Sequence, residues 1–393
     1  MIRAKALNRI RSKGCVAVVL ADNLGALALV RQLGGMGIPV IVFGSDVVQA
    51  SRFVTVKFSV SNDAELKEKL IELPDLVRVP LVLLTDADHY VAFIHQEWET
   101  LSPLYHIPSS TRNGALTDKT SLAELKDDAV HIPQMYSSVE HVETRHLPVI
   151  VKPLLNAQQQ AEKGISKAYM CHTISQLKET VSQLEQQCVP FMNQQLVVGA
   201  SPVYSVLIYR GADGTVMHGF TSQKLRSFPL DFGTGTMQVL TEAHQLLHIS
   251  RHLMKRVDYV GIAEFEFKFC QRRQQFYLIE VNGRFPLHSA LLQHANPTFL
   301  HGIITDLVGD VPQLRKRKNL TKPVAWLYAI NDIRALKVKD IIPAYFKLFH
   351  TYHVQAALWS FGDVRPAVAH IKYLVCKMIW KRKASNMNVS LLK

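Results

Sequence analysis

The chain has 393 residues, of which 48% are hydrophobic and 20% are charged. This composition excludes a disordered or fibrous protein and predicts two or three folded domains. The formal net charge is +13, and residues 311–393 hold 16 of the 45 lysines and arginines but only 3 of the 32 acidic residues. The basic excess therefore belongs to the last segment and not to the chemistry of residues 1–310.

Neither a disulfide framework nor a membrane span is indicated by the sequence. The five cysteines lie apart, without CxxC or CxxH spacing, which argues against a zinc site and favours a reducing cytoplasm. The basic N-terminus has no apolar signal region, and no run of about 18 apolar residues occurs. We therefore expect a cytoplasmic protein without a transmembrane helix.

Residues 14–98 alternate short apolar runs with helical patterns, which is typical of βαβ units and a parallel sheet. Strands are expected at Cys15–Ala21, Pro39–Phe43, Phe53–Phe58 and Leu81–Thr85, and helices at Leu24–Gly37, Asp63–Leu73 and Ala87–Trp98. A dinucleotide site is disfavoured, because Gly25 is the one glycine where the GxGxxG fingerprint needs three. The segment is predicted to be a small α/β domain that forms one wall of a substrate cleft.

The next segment contains one lysine, Lys152, that is a candidate anion contact from its sequence context, and a second, Lys119, whose context alone favours a surface residue. Thr117 or Asp118 is a suitable N-cap for a helix that begins at Lys119, although a surface lysine is the simpler interpretation there. Lys152 ends the apolar run Val149–Val151, and an ammonium group at the end of a buried strand needs an anion. Lys152 is therefore the stronger candidate.

Residues 156–170 are predicted to form a polar turn around Gly164 between two strands. If this loop is mobile, its backbone N–H groups, Ser166 and Lys167 could fold over a triphosphate. An ordinary exposed hairpin explains the same pattern, and the sequence leaves both interpretations open.

A second polar stretch follows a predicted hairpin whose turn is Ala212–Gly214. It contains Lys224 and Arg226 and ends in F-G-T-G-T. A guanidinium group matches the geometry of an oxyanion, and glycines allow the backbone to approach a ligand closely. The alternative is a surface turn with incidental basic residues.

The stretch Gly261–Pro286 carries the strongest signal in the chain. It reads G-I-A-E-F-E-F-K-F, a polar turn, and F-Y-L-I-E-V-N-G-R-F-P. Alternating aromatic and charged residues, followed by an apolar run, predict two adjacent strands. A hairpin with its charges facing water is the simpler alternative, but it fits poorly with N-G-R directly after a buried strand.

Polar side chains of these two strands are expected to converge. Side chains alternate between the faces of a strand, so Glu264 and Glu266 share one face, and Glu280 and Asn282 share one face of the partner strand. Two carboxylates, an amide and Arg284 would suit Mg²⁺ that bridges a polyphosphate.

The order E-F-E-F, then I-E-V-N-x-R, resembles the metal-binding strands of the ATP-grasp superfamily. The segment K-x-R-x-x-P-x-x-F-G further resembles carboxylate-amine ligases related to D-aspartate ligase. The resemblance covers roughly residues 14–310 and implies an α/β (α+β) ATP-grasp fold. The implied domains are a Rossmann-like pre-ATP-grasp domain at 1–108, an ATP-grasp domain at 109–310 with a mobile lid at about 130–190, and a basic C-terminal extension at 311–393.

The resemblance also implies roles for individual residues. The implied ATP contacts are Lys119, Lys152, Ser166, Lys167, Gln195 and Lys224. The implied ligands of Mg²⁺ (or Mn²⁺) are Glu266, Glu280 and Asn282, and the implied catalytic residues are Arg226 and Arg284. Gln195 replaces a family glutamate that contacts the ribose hydroxyls, which removes the charge-assisted part of that hydrogen bond.

The implied function is an ATP-dependent ligase that activates a small carboxylate as an acyl phosphate and joins it to an amine, releasing ADP and phosphate. One rival is a catalytically weak or inactive ATP-grasp protein that acts as a scaffold at a membrane surface. It is favoured by Gln195 and by Gly283 and Pro286, which depart from the family pattern. A biotin-carboxylase-like or purine-type enzyme is disfavoured by the K-x-R-x-x-P-x-x-F-G segment. His288 is left open as a pocket residue or a core histidine.

Residues 311–393 combine the basic clusters R-K-R-K and W-K-R-K with aromatic residues and an apolar stripe that includes Val368, Ile371 and Val375. This composition suits peripheral contact with an anionic membrane at its inner face. A solvated basic cap whose stripe packs on the core is an equal alternative. Nucleic acid is disfavoured because no RNA- or DNA-binding motif accompanies the charges. A homodimer is left open.

Overall fold

The computed structural model describes residues 2–109, 116–117, 121–155, 157–197, 202–230, 232–309 and 321–390, with the backbone alone at 157, 158, 161 and 378–390. Within these residues the framework consists of three β-sheets. We refer to them as the N-terminal sheet, the small sheet and the central sheet.

The N-terminal sheet is parallel, and this confirms the βαβ prediction. Its elements are α1 Ala4–Arg11, β1 Val16–Ala21, α2 Leu24–Gly35, β2 Val40–Gly44, α3 Asp46–Gln49, β3 Val54–Phe58, α4 Asp63–Val77, β4 Leu81–Thr85, α5 Asp88–Gln96 and α6 Trp98–Leu101. The strand order is β3-β2-β1-β4. Every residue of β1 is buried, because its alternate side chains pack into separate hydrophobic clusters on the two faces of the sheet.

Asp86, directly after β4, fastens the beginning of α2. Its carboxylate accepts hydrogen bonds from the backbone N–H groups of Asp22 at 3.0 Å, Asn23 at 3.1 Å and Ala26 at 2.7 Å. Burial raises the pKa of Asp86 to about 7, although these N–H donors act in the opposite direction. The N-terminus of α2 thus holds an internal carboxylate in the place where a dinucleotide-binding helix holds a phosphate.

The small sheet is antiparallel, with strand order β5-β8-β6-β7. Its elements are β5 Met135–Tyr136, β6 Val149–Pro153, α7 Ala157–Lys163, β7 Tyr169–Cys171, α8 Ile174–Gln186 and β8 Phe191–Gln195. The predicted turn at Gly164 is present, with φ at 66°, but the helix α7 precedes it. The segment A-Q-Q-Q-A-E-K has no apolar stripe, yet its residues are good helix formers.

The central sheet has seven strands in the order β13-β12-β9-β10-β11-β14-β15. Its strands are β9 Val203–Arg210, β10 Val216–Phe228, β11 Thr234–Leu240, β12 Gly261–Cys270, β13 Gln275–Asn282, β14 Val324–Leu327 and β15 His353–Ala356. The helices that accompany the first five strands are α9 His244–Arg256, α10 Leu292–Ala295 and α11 Phe299–Val308. Both predicted hairpins, β9–β10 and β12–β13, are confirmed. Leu207 and Tyr209 of β9 share one hydrophobic cluster with α2, so the central and N-terminal sheets are joined by a common core.

The C-terminal part of the chain extends the central sheet, because β14 pairs with β11. The helices α12 Ala329–Arg334, α13 Ile341–Thr351 and α14 Arg365–Ser390 complete it. Trp326 of β14 is fully buried. Asp363 accepts hydrogen bonds from Arg31 Nε at 2.9 Å and Ser51 Oγ at 2.7 Å, which ties the beginning of α14 to the N-terminal sheet. The domain boundaries stay a prediction.

Short 3₁₀ helices occur at Ser121–Leu125, Val139–His141, Thr144–His146, Ser289–Leu291 and Val338–Asp340. Among the helices in the described part of the chain, none is both long and apolar enough to cross a membrane.

Candidate active site

The hairpin β12–β13 brings its polar side chains together as its sequence predicts. Glu264 lies opposite Asn282 and Glu266 lies opposite Glu280 in the antiparallel register. Residues that face each other across such a pair share one face of the sheet. The Asn282 side-chain amide donates a hydrogen bond to Glu264 Oε2 at 3.3 Å.

Two cavities meet above this hairpin. The large cavity has a volume of about 1270 Å³ and extends from α5 to the hairpin. The small cavity has a volume of about 550 Å³ and lies between β6, β8 and β13. Glu266, Glu280 and Lys224 line both cavities, so these three side chains stand at the junction.

The small cavity combines apolar walls with a lysine. Apolar lining residues include Ile150, Met192, Leu196 and Ile279. Lys152 also lines it, and its Nζ donates a hydrogen bond to Gln194 Oε1 at 2.7 Å. The structure therefore places Lys152 in the wall of the small cavity, and its contact with an anion stays a prediction.

Gln195 lines the same cavity at the end of β8. Its backbone N–H donates to the Gln134 carbonyl oxygen at 2.7 Å, and its side-chain oxygen accepts from the Gln134 N–H at 3.4 Å. The position agrees with the predicted contact to a ligand, and the contact itself stays a prediction.

The large cavity holds a charge cluster around Arg284 in which Glu264 is buried and Asp88 is exposed. Arg284 Nε lies 2.6 Å from Asp88 Oδ1, and Arg284 Nη1 lies 3.6 Å from Glu264 Oε2. Burial, together with repulsion from Glu266, raises the pKa of Glu264 to about 7, while Arg284 and Lys224 oppose this rise. Asp88 belongs to α5, so the N-terminal part of the chain forms one wall of the cleft.

His288 lies in the large cavity as a neutral side chain. Burial, with smaller contributions from Lys224 and Arg284, lowers the pKa of His288 to about 3. Its Nδ1 lies 3.2 Å from the Gln238 side-chain nitrogen, which is a donor. The ring proton therefore sits on Nε2, which lies 3.2 Å from Ser222 Oγ and 3.8 Å from Glu264 Oε1. His288 is both buried and a lining residue of the cavity.

Four other predicted site residues remain to be placed: Lys224, Ser166, Lys167 and Lys119. Lys224 Nζ lies 3.9 Å from Glu266 Oε2. Ser166 and Lys167 are exposed on the rim, and Lys167 lines both cavities. Lys119 lies outside the described residues. A helix is predicted to begin at Lys119, and the described residues that follow it form the 3₁₀ helix Ser121–Leu125.

Arg226 has a partner that its sequence context does not reveal. It lines the small cavity, but its Nε and Nη2 donate to the two carboxylate oxygens of Asp332 at 2.8 and 2.7 Å. Asp332 is fully buried on α12 and also accepts from Thr236 Oγ1 at 2.7 Å. The first role of this guanidinium group in the structure is to hold α12, and its predicted catalytic role stays a prediction.

The metal ligands, ATP contacts and catalytic residues implied by the sequence include neither Glu264 nor Asp88. Glu264 alternates with Glu266 on β12, so the strand pattern contains the signal that places both on one face. Asp88 has no such signal, because its contact with Arg284 joins positions 196 residues apart.

The hairpin β12–β13 offers oxygen donors for a metal ion. In the described residues, no group of three or more His, Cys, Asp or Glu side chains is arranged to hold a metal by itself. Glu266 and Glu280, which line both cavities, form a smaller oxygen set with the Asn282 amide, which lines the large cavity. Such a set fits Mg²⁺, which takes one or two carboxylates and completes its shell with water and phosphate oxygens.

A family model falls on this same hairpin. The model of the carbamoyl-phosphate synthase L chain, ATP binding domain, matches residues 237–298, which include Glu266, Glu280, Asn282 and Arg284. A comparison with curated proteins finds no match to the sequence.

Several solved structures are similar to this chain. A biotin carboxylase from Campylobacter jejuni, in a β-γ-ATP complex, has a TM-score of 0.60 and 13% identity over 77% of this chain and 73% of that chain. N5-carboxyaminoimidazole synthetase from Staphylococcus aureus, complexed with ADP, has a TM-score of 0.60 and 12% identity over 85% and 87% of the two chains. The biotin carboxylase domain of Hydrogenobacter thermophilus 2-oxoglutarate carboxylase, with MgADP and bicarbonate, has a TM-score of 0.59 and 12% identity over 78% and 71%.

At these identities the likeness establishes the fold. The chain has the ATP-grasp fold, as its sequence predicts. Its closer resemblance to ligases of the D-aspartate ligase type stays a prediction.

Proposed function

We propose that this protein is an ATP- and Mg²⁺-dependent ligase that activates a small carboxylate as an acyl phosphate and joins it to an amine. The observation that carries the proposal is the position of Glu266 and Glu280 at the junction of the two cavities. A nucleotide in the small cavity and an acceptor in the large cavity would meet at these carboxylates.

The small cavity suits the nucleotide. Its apolar walls would enclose the base, and Lys152 would contact the phosphates. The solved relatives that have ATP or ADP in their complexes are consistent with this assignment. Gln195 would donate to or accept from a ribose hydroxyl without the help of a charge.

Mg²⁺ would be held by Glu266, Glu280 and Asn282. When bound, the ion supplies charge neutralisation for the polyphosphate and the leaving group. Lys224 lies beside this set at 3.9 Å from Glu266 and adds a positive charge at the junction.

The two half-reactions require no nucleophile from the protein. An oxygen of the substrate carboxylate attacks the terminal phosphorus, the bond to ADP breaks, and an acyl phosphate forms. The amine nitrogen then attacks the acyl carbon, phosphate leaves with the electron pair of the C–O bond, and the nitrogen releases a proton. Phosphoryl transfer depends on positioning and on charge stabilisation, and Lys152, Lys224 and Arg284 line the path with positive charge.

The large cavity is suited to the amine. The carboxylates of Asp88, Glu179 and Glu264 line it. These carboxylates would pair with an ammonium group, while Lys167, Lys224 and Arg284 of the same lining would pair with the substrate carboxylate.

The first experiment measures Mg²⁺-dependent ATP binding and phosphate release by the purified protein. Separate reactions contain pooled small carboxylates, pooled amines, both pools, or bicarbonate alone. Glu266→Ala and Glu280→Ala are expected to lower phosphate release by about 100-fold or more, because each removes a ligand of the ion. Glu185→Ala, an exposed glutamate on α8, is the matched control.

Release that requires both a carboxylate and an amine, and that is lost in the two site variants, would support the ligase. Release driven by bicarbonate alone would favour the carboxylating rival. Absence of ATP binding would favour the scaffold, a rival that the pairing of Arg226 and Arg284 with aspartates already supports.

A further inference from the structure

The C-terminal part of the chain exposes an unusual amount of apolar surface. Seventeen large hydrophobic side chains are exposed in the described residues, and twelve of them lie between Ile333 and Val375. Exposed hydrophobic residues that are scattered over a protein are ordinary. A concentration of exposed hydrophobic residues in one segment indicates a surface that binds a partner or a membrane.

Helix α13 contributes one apolar face. Ile342, Phe346 and Phe349 follow each other at spacings of four and three residues, so they project from one side of the helix. Their exposed fractions are 81%, 77% and 56%. Val338, in the 3₁₀ turn before α13, is 86% exposed. The opposite side of α13 is fixed to the protein by Leu348, which packs on β11 and β14.

Helix α14 and the loop before it contribute a second apolar face. Trp359 and Phe361 are 50% and 92% exposed in the loop. Four exposed aliphatic residues follow at spacings of four, three and four along α14 and its N-terminal end: Val364, Val368, Ile371 and Val375. Asp363 and the buried Ala367 hold the other side of this helix on the protein. We call the two faces together the C-terminal apolar surface.

Cations alternate with these apolar residues. The exposed lysines and arginines between 321 and 377 are Lys322, Arg334, Lys337, Lys339, Lys347, Arg365, Lys372 and Lys377. The acidic residues of the same stretch are arranged differently. Asp332 and Asp363 point inward and are paired with Arg226 and Arg31, whereas Asp340 is exposed. The outer surface of this segment is therefore strongly positive.

We propose that the C-terminal apolar surface docks on an anionic lipid bilayer. The apolar side chains would enter the boundary between headgroups and acyl chains, and the lysines would pair with lipid phosphates. A protein partner fits less well, because the centres of protein interfaces are depleted of lysine. The contact is peripheral, since the described helices include none that could cross the bilayer.

The test uses the full chain and vesicles of two compositions. One is phosphatidylcholine with about 30% phosphatidylglycerol, and the other is phosphatidylcholine alone. The expected result is sedimentation with the anionic vesicles, with binding that weakens in high salt because the lysine contacts are screened. Sedimentation that is equal on both vesicles, or absent on both, would overturn the proposal.

Two variants separate the apolar and the charged contributions. Ile342→Ser/Phe346→Ser is expected to lower the partition coefficient on anionic vesicles by roughly tenfold or more, because it removes the buried apolar area. Lys337→Gln/Lys339→Gln/Lys347→Gln is expected to lower it by a similar factor and to reduce the salt dependence. Ile71→Ser/Leu76→Ser, which changes two exposed apolar residues of α4, is the matched control and should bind like the original chain.

A second copy of the chain is the competing occupant, and light scattering distinguishes it. If the protein forms a dimer that Ile342→Ser/Phe346→Ser dissociates, and if neither form binds vesicles, the surface belongs to a dimer interface and the lipid proposal is wrong. If the protein binds RNA but does not bind vesicles, the lipid proposal is also wrong.

Discussion

His288 is fixed as a neutral imidazole by Ser222 and Gln238, and this has a consequence for stability. Its pKa is lowered to about 3 in the folded protein, whereas an unfolded histidine titrates at about 6.5. Below about pH 6.5 the unfolded chain therefore binds a proton that the folded chain does not. The stabilisation is complete above this pH and is lost as the pH falls toward the folded pKa.

We predict that the original protein loses about 2 kcal/mol of unfolding free energy between pH 6.5 and 4.5 through this residue alone. His288→Gln keeps a polar side chain without the titration, so its stability should fall less over the same range. Urea denaturation at several pH values measures the difference, with His172→Gln on the surface as control. Parallel pH profiles for His288→Gln and the original protein would show that His288 does not titrate as described.

Gln195 offers a gain-of-function test at the residue scale. Replacing its amide by a carboxylate restores a charge-assisted hydrogen bond to a ribose hydroxyl. We expect Gln195→Glu to bind Mg-ATP about fivefold more tightly, which corresponds to about 1 kcal/mol. Isothermal titration calorimetry measures the change, and the exposed Gln186→Glu is the control. Unchanged or weaker binding would remove Gln195 from the ribose contact.

At the scale of elements, β10 and β11 are joined to α12 by the Arg226–Asp332 pair. The pair is bidentate, and Asp332 is fully buried. Removing Arg226 leaves the fully buried carboxylate of Asp332 without its cation, and removing Asp332 leaves the guanidinium group of Arg226, which is 22% exposed, without its anion. The pair is therefore a structural connection between the cleft and the C-terminal part of the chain.

We predict that Arg226→Met and Asp332→Leu each lower the unfolding free energy by about 3 kcal/mol, and that the double variant loses less than the sum. Denaturation of all four proteins measures the coupling, and Arg145→Met, from an exposed ion pair, should have no measurable effect. A phosphate-release assay adds a second readout. If Arg226→Met abolishes release while Asp332→Leu retains it, Arg226 also acts in the chemistry. Strictly additive losses would contradict the structural role.

At the scale of the whole molecule, the cleft is bounded by more than one sheet. A bound ligand should therefore stabilise separate parts of the chain at the same time. We predict that Mg²⁺ with a non-hydrolysable ATP analogue slows amide hydrogen exchange in both β8 and β12, because binding stabilises both walls. The strand β3 lies away from the cleft and should exchange unchanged. Protection of β8 alone would place the nucleotide in the small cavity without engagement of the carboxylates.

Local patterns in the sequence account for much of this architecture. Period-two alternation and apolar runs predict the strands of the N-terminal sheet and the hairpin β12–β13, and the face shared by Glu266 and Glu280 follows from them. The contacts of Arg284 with Asp88 and of Arg226 with Asp332 could not be predicted, because they join positions 196 and 106 residues apart. The helix α7 was missed because it lacks an apolar stripe.

The tie between Arg31 and Asp363 spans 332 positions of the chain. During synthesis from the N-terminus, α2 therefore leaves the ribosome long before Asp363 is made. Ser51 and Arg52, which also donate hydrogen bonds to the Asp363 carboxylate, are likewise made long before it. The strand β14, which pairs with β11, also arrives late. Because contacts between distant positions carry the entropic cost of closing a long loop, we expect the contacts of Asp363 and of β14 with the earlier segments to form late in folding.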